Sequence, residues 1–312
     1  MTLILGRRDI GAAVDLDAVL DLLAAGYRAD AADPAPLRIR TDLPGPGTAT
    51  CLMPGLLADV PAYTVKVNAK FPAAAPALRG VVCLHALADG ELLALLDSAS
   101  VTAWRTGLAA ALATHTLAPP TAATLGFVGA GAQAATTLAG LRHLRPWSRI
   151  VATDLDPARA AALLVGVEPS AVEPSAVAVA AAADVVVLAT WSRTPLLRLA
   201  DVRPGQHLTS LGADEPGKQE LAADLLAASK LIVDDIDLAV AGGGLGSAGL
   251  DATSCDGTLG EIIRGSLPVA APPSRPSVYS PVGLPWQDLA LSWAVYQHAL
   301  RAGAGTRVDL LG

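Results

Sequence analysis

Residues 106–141, TGLAAALATHTLAPPTAATLGFVGAGAQAATTLAGL, limit the fold of this chain more than any other stretch, because they include no Asp, Glu, Lys or Arg. A run of about 20 apolar residues is long enough to cross a bilayer as a helix. This run is interrupted by a Pro-Pro pair and then by three glycines, which disfavour a continuous helix. The stretch therefore predicts a helix that ends before the prolines, followed by a strand, a glycine turn and a second helix.

The glycine turn has the spacing Gly129-x-Gly131-x-x-Ala134 between its strand and its helix. In a dinucleotide-binding fold the first glycine makes the tight turn, the second lets the pyrophosphate approach the backbone, and the third small residue lets helix and strand pack closely. The pyrophosphate then lies at the helix N-terminus, where free N–H groups favour an anion. The other interpretation is an ordinary turn without a ligand.

Asp154 ends the next apolar run, about 20 residues beyond the glycines, as the dinucleotide pattern requires. A carboxylate there can accept hydrogen bonds from the ribose hydroxyls and would repel a 2′-phosphate. We therefore expect NAD(H) rather than NADP(H) as the cofactor. If the turn bound no ligand, Asp154 would be a solvated strand end.

Five apolar runs between residues 124 and 237 alternate with helical patterns, and each resembles a strand buried on both faces of a parallel sheet. They are TLGFVGAG, RIVATDLD, ADVVVLAT, QHLTSLGAD and KLIVDDID. Such alternation predicts an α/β fold with a Rossmann-type doubly wound parallel sheet. Within this region we expect residues 167–176, and the glycine-rich residues 241–257, to be loops.

The remainder of the chain has a different pattern. Helical spacing over residues 9–29 predicts an opening amphipathic helix. Short β-rich runs between residues 37 and 96, from LRIRT to GVVCLHAL and beyond, predict an α+β segment built on a sheet. A long Ala-rich helix begins near Ser98 or Ser100, and the C-terminal tail predicts a helix, a Gly turn and a closing strand.

Composition limits the partners of the chain. Of 312 residues, 52% are hydrophobic and 16% charged, which predicts large buried cores. The net charge is −7 and no Lys/Arg cluster occurs, so neither nucleic acid nor an anionic membrane is an expected partner. Cys51, Cys83 and Cys255 lack the paired spacing of a zinc site or disulfide framework, and the five histidines show no metal-ligand spacing. We therefore expect no metal and a small-molecule substrate. We also expect a cytoplasmic location, since the N-terminus lacks the pattern of a signal peptide.

Three separated cations on or beside predicted strands, Arg40, Lys66 and Arg105, would suit a substrate carboxylate if they converge. Each alone could equally be a solvated surface charge. Asp214 follows a predicted strand and precedes a Pro-Gly turn, at the sheet edge where α/β proteins bind ligands. It is a candidate general acid/base, with a turn-forming Asp as the alternative.

The order of motifs over nearly the whole chain resembles the ornithine cyclodeaminase/μ-crystallin family. The matching segments are RT at 40–41, LMP at 52–54, VKVNAKFP, ELLALLD, TAWRTGLAAALA, GFVGAGAQA, ATDLDP, LGADEPGKQEL, TLGEIIRG and VGLPWQDLAL. The resemblance implies a discontinuous fold, with a substrate-binding and dimerisation domain of residues 1–118 and 286–312 and an NAD-binding domain of residues 119–285. It also implies a homodimer.

The resemblance assigns roles to residues by their matching positions. Arg40, Lys66 and Arg105 would hold the substrate α-carboxylate, and Asp214, with Lys66, would be catalytic. The remaining matches would contact or approach the dinucleotide; they are Gly129, Gly131, Ala132, Gln133, Asp154, Thr190 and Lys218.

Cys51, which the resemblance also places among the substrate-binding residues, departs from the cyclodeaminase pattern. The residue before LMP is a Glu that grips the substrate amine in true cyclodeaminases, and a largely uncharged thiol cannot replace it. This favours an imine or ketimine reductase, or an amino-acid dehydrogenase, that uses NAD(H) at the C–N bond of a small α-amino or α-imino acid. A cyclodeaminase-type ammonia lyase with bound NAD, and a crystallin-like protein that binds NAD(P)H without catalysis, remain the alternatives.

Overall fold

The computed structural model describes residues 1–29, 39–74, 76–269, 271 and 274–310. Its strands are β1 Thr2–Leu5, β2 Ile39–Asp42, β3 Ala49–Gly55, β4 Ala62–Lys70, β5 Leu78–Ala86, β6 Leu92–Asp97, β7 Thr124–Val128, β8 Arg149–Thr153, β9 Ser170–Val172, β10 Val185–Leu188, β11 His207–Ser210, β12 Lys230–Val233, β13 Gly257–Thr258, β14 Ser277–Tyr279 and β15 Thr306–Val308. Its helices are α1 Arg7–Ala13, α2 Leu16–Arg28, α3 Ser98–Leu117, α4 Ala132–Leu144, α5 Pro157–Leu163, α6 Ala176–Ala182, α7 Ala223–Ala228, α8 Ile236–Gly242, α9 Gly244–Ser247, α10 Leu259–Ile263 and α11 Pro285–Ala302.

The chain forms two compact units, here called unit 1 (Met1–Ala109 with Leu284–Gly312) and unit 2 (Ala110–Gly283). The first boundary lies inside α3, earlier than the predicted boundary after residue 118, because the helix runs unbroken through residues of both units. None of the helices in the described residues is long and apolar enough to cross a membrane. The uncharged stretch is divided into the second part of α3, strand β7 and helix α4.

Unit 1 is built on a seven-stranded sheet with the order β15-β1-β6-β5-β4-β3-β2. Strand β1 pairs in parallel with β6 and antiparallel with β15, and the pairs from β6 to β2 are antiparallel. The predicted β-rich region is therefore a sheet, although the first two residues of the predicted strand LRIRT lie outside the described residues. The last helix and strand return to this unit, as the discontinuous fold requires.

The single opening helix predicted over residues 9–29 is wrong. The chain forms α1 and α2 with a break before Leu16, because the Asp15 carboxylate accepts a hydrogen bond from Ala18 N at 3.2 Å and starts a new helix. Helix α2 then packs on α11 at a glycine. A Cβ on Gly26 would lie 2.4 Å from the ring of Trp286, so this close approach excludes any side chain.

Unit 2 contains an eight-stranded sheet with the order β13-β12-β14-β11-β10-β7-β8-β9. All of its strand pairs are parallel. From β7 the chain proceeds outward through β8 and β9, then returns to the other side of β7 with β10. The predicted doubly wound parallel sheet is confirmed, and the strand order reverses between β7 and β10.

Apolar strands separate two cores, one on each face of this sheet. Along β10, Val186 and Leu188 belong to one core cluster and Val185 and Val187 to the other. All four side chains are buried. This double burial explains why the strands appear in the sequence as continuous apolar runs rather than as alternating ones.

Both segments of unit 2 that were predicted to be loops contain regular structure. Residues 170–172 form β9, which pairs with β8, and Ser175 then caps α6 by accepting a hydrogen bond from Ala178 N. The glycine-rich segment begins with the end of α8 and continues into α9. A Cβ on Gly246 would lie 2.0 Å from the carbonyl oxygen of Val240, so this glycine serves close packing of helical turns.

A buried chain of polar side chains crosses unit 2. His207 Nδ1 lies 2.7 Å from Ser277 Oγ, and its Nε2 lies 3.1 Å from Thr209 Oγ1. Thr209 Oγ1 in turn lies 2.7 Å from Thr114 Oγ1 on α3. Burial, together with the positive charge of Arg145, lowers the pKa of His207 to about 3. The imidazole is therefore neutral near physiological pH.

Candidate active site

The glycine turn between β7 and α4 has the geometry of a phosphate cradle. Gly129 has a φ of +89°, and a Cβ there would lie 2.6 Å from the carbonyl oxygen of Ala189, so only glycine fits. Gly131 is the N-cap of α4, and no side chain caps this end of the helix. Ala132 and Gln133 form the start of the helix. The turn thus leaves a helix N-terminus open to an anion.

Asp154 lies just beyond the end of β8 and holds the glycine turn in place. One carboxylate oxygen accepts a hydrogen bond from Ala130 N at 2.7 Å, and the other accepts from Asp156 N at 3.0 Å. Each oxygen retains a second lone pair for a ribose hydroxyl. Arg159 of α5 lies beside this carboxylate: its Nη1 is 4.0 Å from Asp154 Oδ1, and its Nη2 lies near Gly131.

Asp214 and Lys218 lie together after β11. Lys218 Nζ donates to Asp214 Oδ1 at 2.8 Å and lies 3.6 Å from Glu215 Oε1. The lysine is buried, and its ammonium lies 5.5 Å from the centre of the Trp191 ring. The carboxyl of Asp214 is partly exposed, with 31% of its side chain accessible. The position of the Asp214 carboxylate is therefore fixed by Lys218, and the carboxylate is still accessible to a ligand.

Thr190 is fixed by a residue that the sequence did not single out, Glu220. The carboxylate Oε1 of Glu220 accepts hydrogen bonds from both Thr190 N and Thr190 Oγ1 at 2.7 Å. Its Oε2 accepts from Ser210 Oγ at 2.8 Å and from Gly212 N at 2.7 Å. A Cβ on Gly212 would collide with the Thr190 carbonyl and with Glu220. This carboxylate therefore joins the loops that follow β10 and β11.

In unit 1, two of the three predicted cations converge on one carboxylate. Lys66 Nζ lies 2.6 Å from Asp288 Oδ2, and Arg105 Nε lies 3.2 Å from Asp288 Oδ1. All three side chains are buried, and Asp288 is 1% exposed. Arg105 Nη1 also donates to Gln287 Oε1 at 3.0 Å, whereas its Nε has no hydrogen-bond partner despite the short distance to Asp288. The cluster holds two cations side by side.

Arg40 lies on the same sheet face as Lys66, on strand β2. Arg40 is paired across the sheet with Cys51, and Cys51 with Asn68, so these three side chains share a face. Asn68 is two residues from Lys66 on β4 and therefore shares that face too. Arg40 is exposed and forms an ion pair with Asp42 at 2.9 Å.

The residues missed at this site have long-range partners. Asp288 and Gln287 occur in VGLPWQDLAL, where their spacing is that of an ordinary first turn of a helix. Their partners Lys66 and Arg105 lie in distant segments of the chain. No local signal marks Asp288, because an acidic residue in the first turn of a helix is common; only its partners in the folded chain show that it is buried and paired.

Comparisons with known proteins agree with this architecture. Alanine dehydrogenase of Archaeoglobus fulgidus is 30% identical over 239 residues, which are 75% of this chain and 74% of that protein. The structure of an archaeal alanine dehydrogenase dimer with bound NAD superposes with a TM-score of 0.92 at 27% identity, covering 99% of each chain. The Thermococcus litoralis Δ1-pyrroline-2-carboxylate reductase, solved with NADH and L-proline, superposes with a TM-score of 0.91 at 25% identity, covering 98% of this chain and 100% of the other.

The model of the ornithine cyclodeaminase/μ-crystallin family matches residues 2–303 of the chain. This match includes the buried cations around Asp288 in unit 1 and, separately, the glycine turn with Asp154 in unit 2. The chain belongs to the ornithine cyclodeaminase/μ-crystallin family.

Proposed function

We propose that the chain is an NAD(H)-dependent oxidoreductase that acts on the C–N bond of a small α-amino or α-imino acid. The observation that carries this proposal is the convergence of Lys66 and Arg105 on Asp288 in unit 1. Two buried cations held side by side suit a ligand carboxylate. Alanine and proline, the amino acids named for the relatives, share a carboxylate and a nitrogen on the same carbon.

The cofactor site of this proposal is the glycine turn with Asp154. Gly129 and Gly131 leave room for two phosphates, and α4 offers its uncapped N-terminus to their charge. Asp154 would bind the adenosine ribose and disfavour a 2′-phosphate. The dinucleotide, when bound, supplies or accepts a hydride at its nicotinamide ring.

The substrate carboxylate would be held by Lys66, Arg105 and Arg40. Asp288 orients Lys66 and Arg105 before any ligand binds, so little side-chain freedom is lost on binding. Arg105 Nε is buried 3.2 Å from Asp288 Oδ1, so this carboxylate fixes the position of the guanidinium. Arg40, on the exposed strand β2, would add a third cation from the same sheet face.

Asp214 would carry the proton. Reduction of an imine adds a hydride to carbon and a proton to nitrogen, and oxidation of an amine removes both. Asp214 is the accessible carboxyl in the loop after β11, and Lys218 fixes its position. We assign the proton transfer at the substrate nitrogen to this carboxyl. The additional catalytic role of Lys66 stays a prediction.

We further propose that a second copy of the chain is the partner. Ile39, Leu52 and Val67 are paired across β2, β3 and β4 on the sheet face opposite Arg40 and Lys66. They are 47%, 40% and 37% exposed, and such a row of aliphatic side chains is typical of an interface. The three cysteines are free, which fits the reducing cytoplasm that we keep as the predicted location.

A substrate panel tests the proposed function. Cyclic α-imino acids, and α-keto acids with ammonia or methylamine, are mixed with the protein and NADH, and loss of the reduced-nicotinamide absorbance is followed. We expect at least one of them to oxidise NADH in proportion to the amine formed. Ammonia release from ornithine or lysine, without any net change in NADH, would contradict the proposal and indicate a cyclodeaminase.

A further inference from the structure

Glu220 is a buried carboxylate at the ligand-binding edge of the unit 2 sheet, and the proposed reaction does not use it. Its side chain is fully buried. Both oxygens are occupied by donors, two from Thr190 to Oε1 and one each from Ser210 and Gly212 to Oε2. Two of these donors are backbone N–H groups, one on each oxygen, and hydrogen bonds of this kind stabilise the charged carboxylate.

Glu220 forms no ion pair with any of the described residues. Lys218, two residues earlier, is paired with Asp214 and Glu215 instead. Burial raises the pKa of Glu220 above its ordinary value, and the hydrogen bonds from Thr190, Gly212 and Ser210 offset only part of this rise. A carboxylate buried in this way stabilises a positive charge placed near it, because the protein interior screens less than water.

Glu220 lies on the side of the unit 2 sheet where the nicotinamide half of the dinucleotide is expected. The glycine turn follows β7 and Asp154 follows β8, so the adenosine half of the dinucleotide belongs to that side of the sheet. The strand order reverses between β7 and β10, and the nicotinamide half therefore belongs to β10 and β11. Thr190 and Gly212, which Glu220 holds, follow the carboxyl ends of these two strands.

We propose that Glu220 tunes the redox poise of the bound cofactor by favouring the oxidised, positively charged nicotinamide over the neutral reduced one. Glu220 would thereby make NADH a stronger hydride donor on the protein than in water. The same charge would stabilise the positive charge that develops on the ring as the hydride leaves. This inference rests on the proposed function, since it requires that NAD(H) binds in unit 2.

The test compares the affinities of NAD+ and NADH for the protein and for Glu220→Gln, which removes the charge and keeps the shape. Dissociation constants are measured by titration calorimetry and by NADH fluorescence, without substrate. We expect the preference for NAD+ over NADH to fall on the order of tenfold in Glu220→Gln, the size of effect that a charge exerts through protein. Ser210→Ala is the control, because it removes one hydrogen bond and keeps the charge, and its preference should match the unchanged protein.

Two outcomes separate the inference from the proposed function. If NAD+ and NADH both bind and their ratio is the same in Glu220→Gln, the inference is overturned and the proposed function stands. If neither binds the unchanged protein, the proposed function fails.

Should Glu220→Gln not fold, the unchanged protein provides a second measurement. NAD+ is compared with benzamide adenine dinucleotide, which has the shape of NAD+ but an uncharged ring. We expect NAD+ to bind about tenfold more tightly. Equal affinities would overturn the inference.

Discussion

Asp288 illustrates how a single buried carboxylate can bring together two cations from distant segments of the chain. It holds the ammonium of Lys66 at 2.6 Å and lies 3.2 Å from Nε of Arg105. Both cations were predicted from the sequence as candidates for a carboxylate, but spacing alone could not show that they meet. The carboxylate that brings them together lies far along the chain, in α11, where nothing local distinguishes it from a helix-start Asp.

Asp288→Asn tests this arrangement through stability. The variant leaves Lys66 and Arg105 buried without their shared carboxylate, and we expect the free energy of unfolding to fall by about 3–5 kcal/mol. Chemical denaturation measures the change. The double variant Lys66→Met with Asp288→Asn should lose less than the sum of the two single variants. Additive losses would show that Lys66 and Asp288 do not interact.

Asp154 is the residue that should select between the two dinucleotides. In Asp154→Asn the side chain keeps an oxygen for Ala130 N and loses its charge, while Arg159 stays nearby. We expect affinity for NADPH to rise and affinity for NADH to fall, each on the order of tenfold. Fluorescence titration with both cofactors measures this. Asp156→Asn is the control, since it removes a neighbouring charge and keeps the cap of α5. The same change of affinities in both variants would show that Asp154 does not determine the choice between NADH and NADPH.

Among the helices and strands, the sequence predicts those whose apolar pattern depends only on neighbouring residues. The buried strands of unit 2 and the helices α3 and α11 follow from apolar runs and periodicity. The opening helix was predicted as one, because the apolar spacing continues through the break that Asp15 makes by capping α2. The glycine-rich segment was predicted as a loop, because close packing of Gly246 against Val240 depends on a tertiary contact. Glu220 was missed for the same reason, since it is fixed by Thr190 after β10 and by Ser210 and Gly212 at the end of β11.

His207 on β11 makes the stability of unit 2 depend on pH. Its folded pKa of about 3 lies below the value of about 6.5 in an unfolded chain, so the unfolded chain takes up the proton first. The contribution of His207 to stability is complete above about pH 6.5 and is lost as pH falls, by up to about 1.4 kcal/mol per pH unit. Glu220 and Asp234, whose pKa values burial raises, act in the opposite direction.

The measurement is therefore a difference. The free energies of unfolding of the unchanged protein and of His207→Asn are compared between pH 7 and pH 5. Both proteins contain Glu220 and Asp234, so the effect of these two acids cancels in the difference. We expect the stability advantage of the unchanged protein to shrink as pH falls. A constant difference over this range would mean that His207 is not held neutral by the fold.

At the scale of the whole molecule, the aliphatic row on the outer face of the unit 1 sheet should hold two copies together. Leu52 lies at its centre, between Ile39 and Val67. Leu52→Lys places a charge there, and we expect the sedimentation coefficient to change from that of a dimer to that of a monomer. Leu155→Lys, at a fully exposed position in unit 2, is the control and should leave the assembly unchanged. A monomeric unchanged protein, or a Leu52→Lys protein that still dimerises, would contradict this interface.

The reaction that we propose for the whole protein is hydride transfer between a nicotinamide and the carbon beside a substrate nitrogen. NADH with deuterium at the transferred position of C4 tests it most directly, with a cyclic α-imino acid as substrate and mass spectrometry of the product. We expect the amino acid formed to carry deuterium at Cα. We also expect Asp214→Asn to bind NADH but to form little labelled product. If the protein binds NADH yet leaves every imino acid unlabelled, while releasing ammonia from ornithine or lysine, it does not catalyse the proposed hydride transfer.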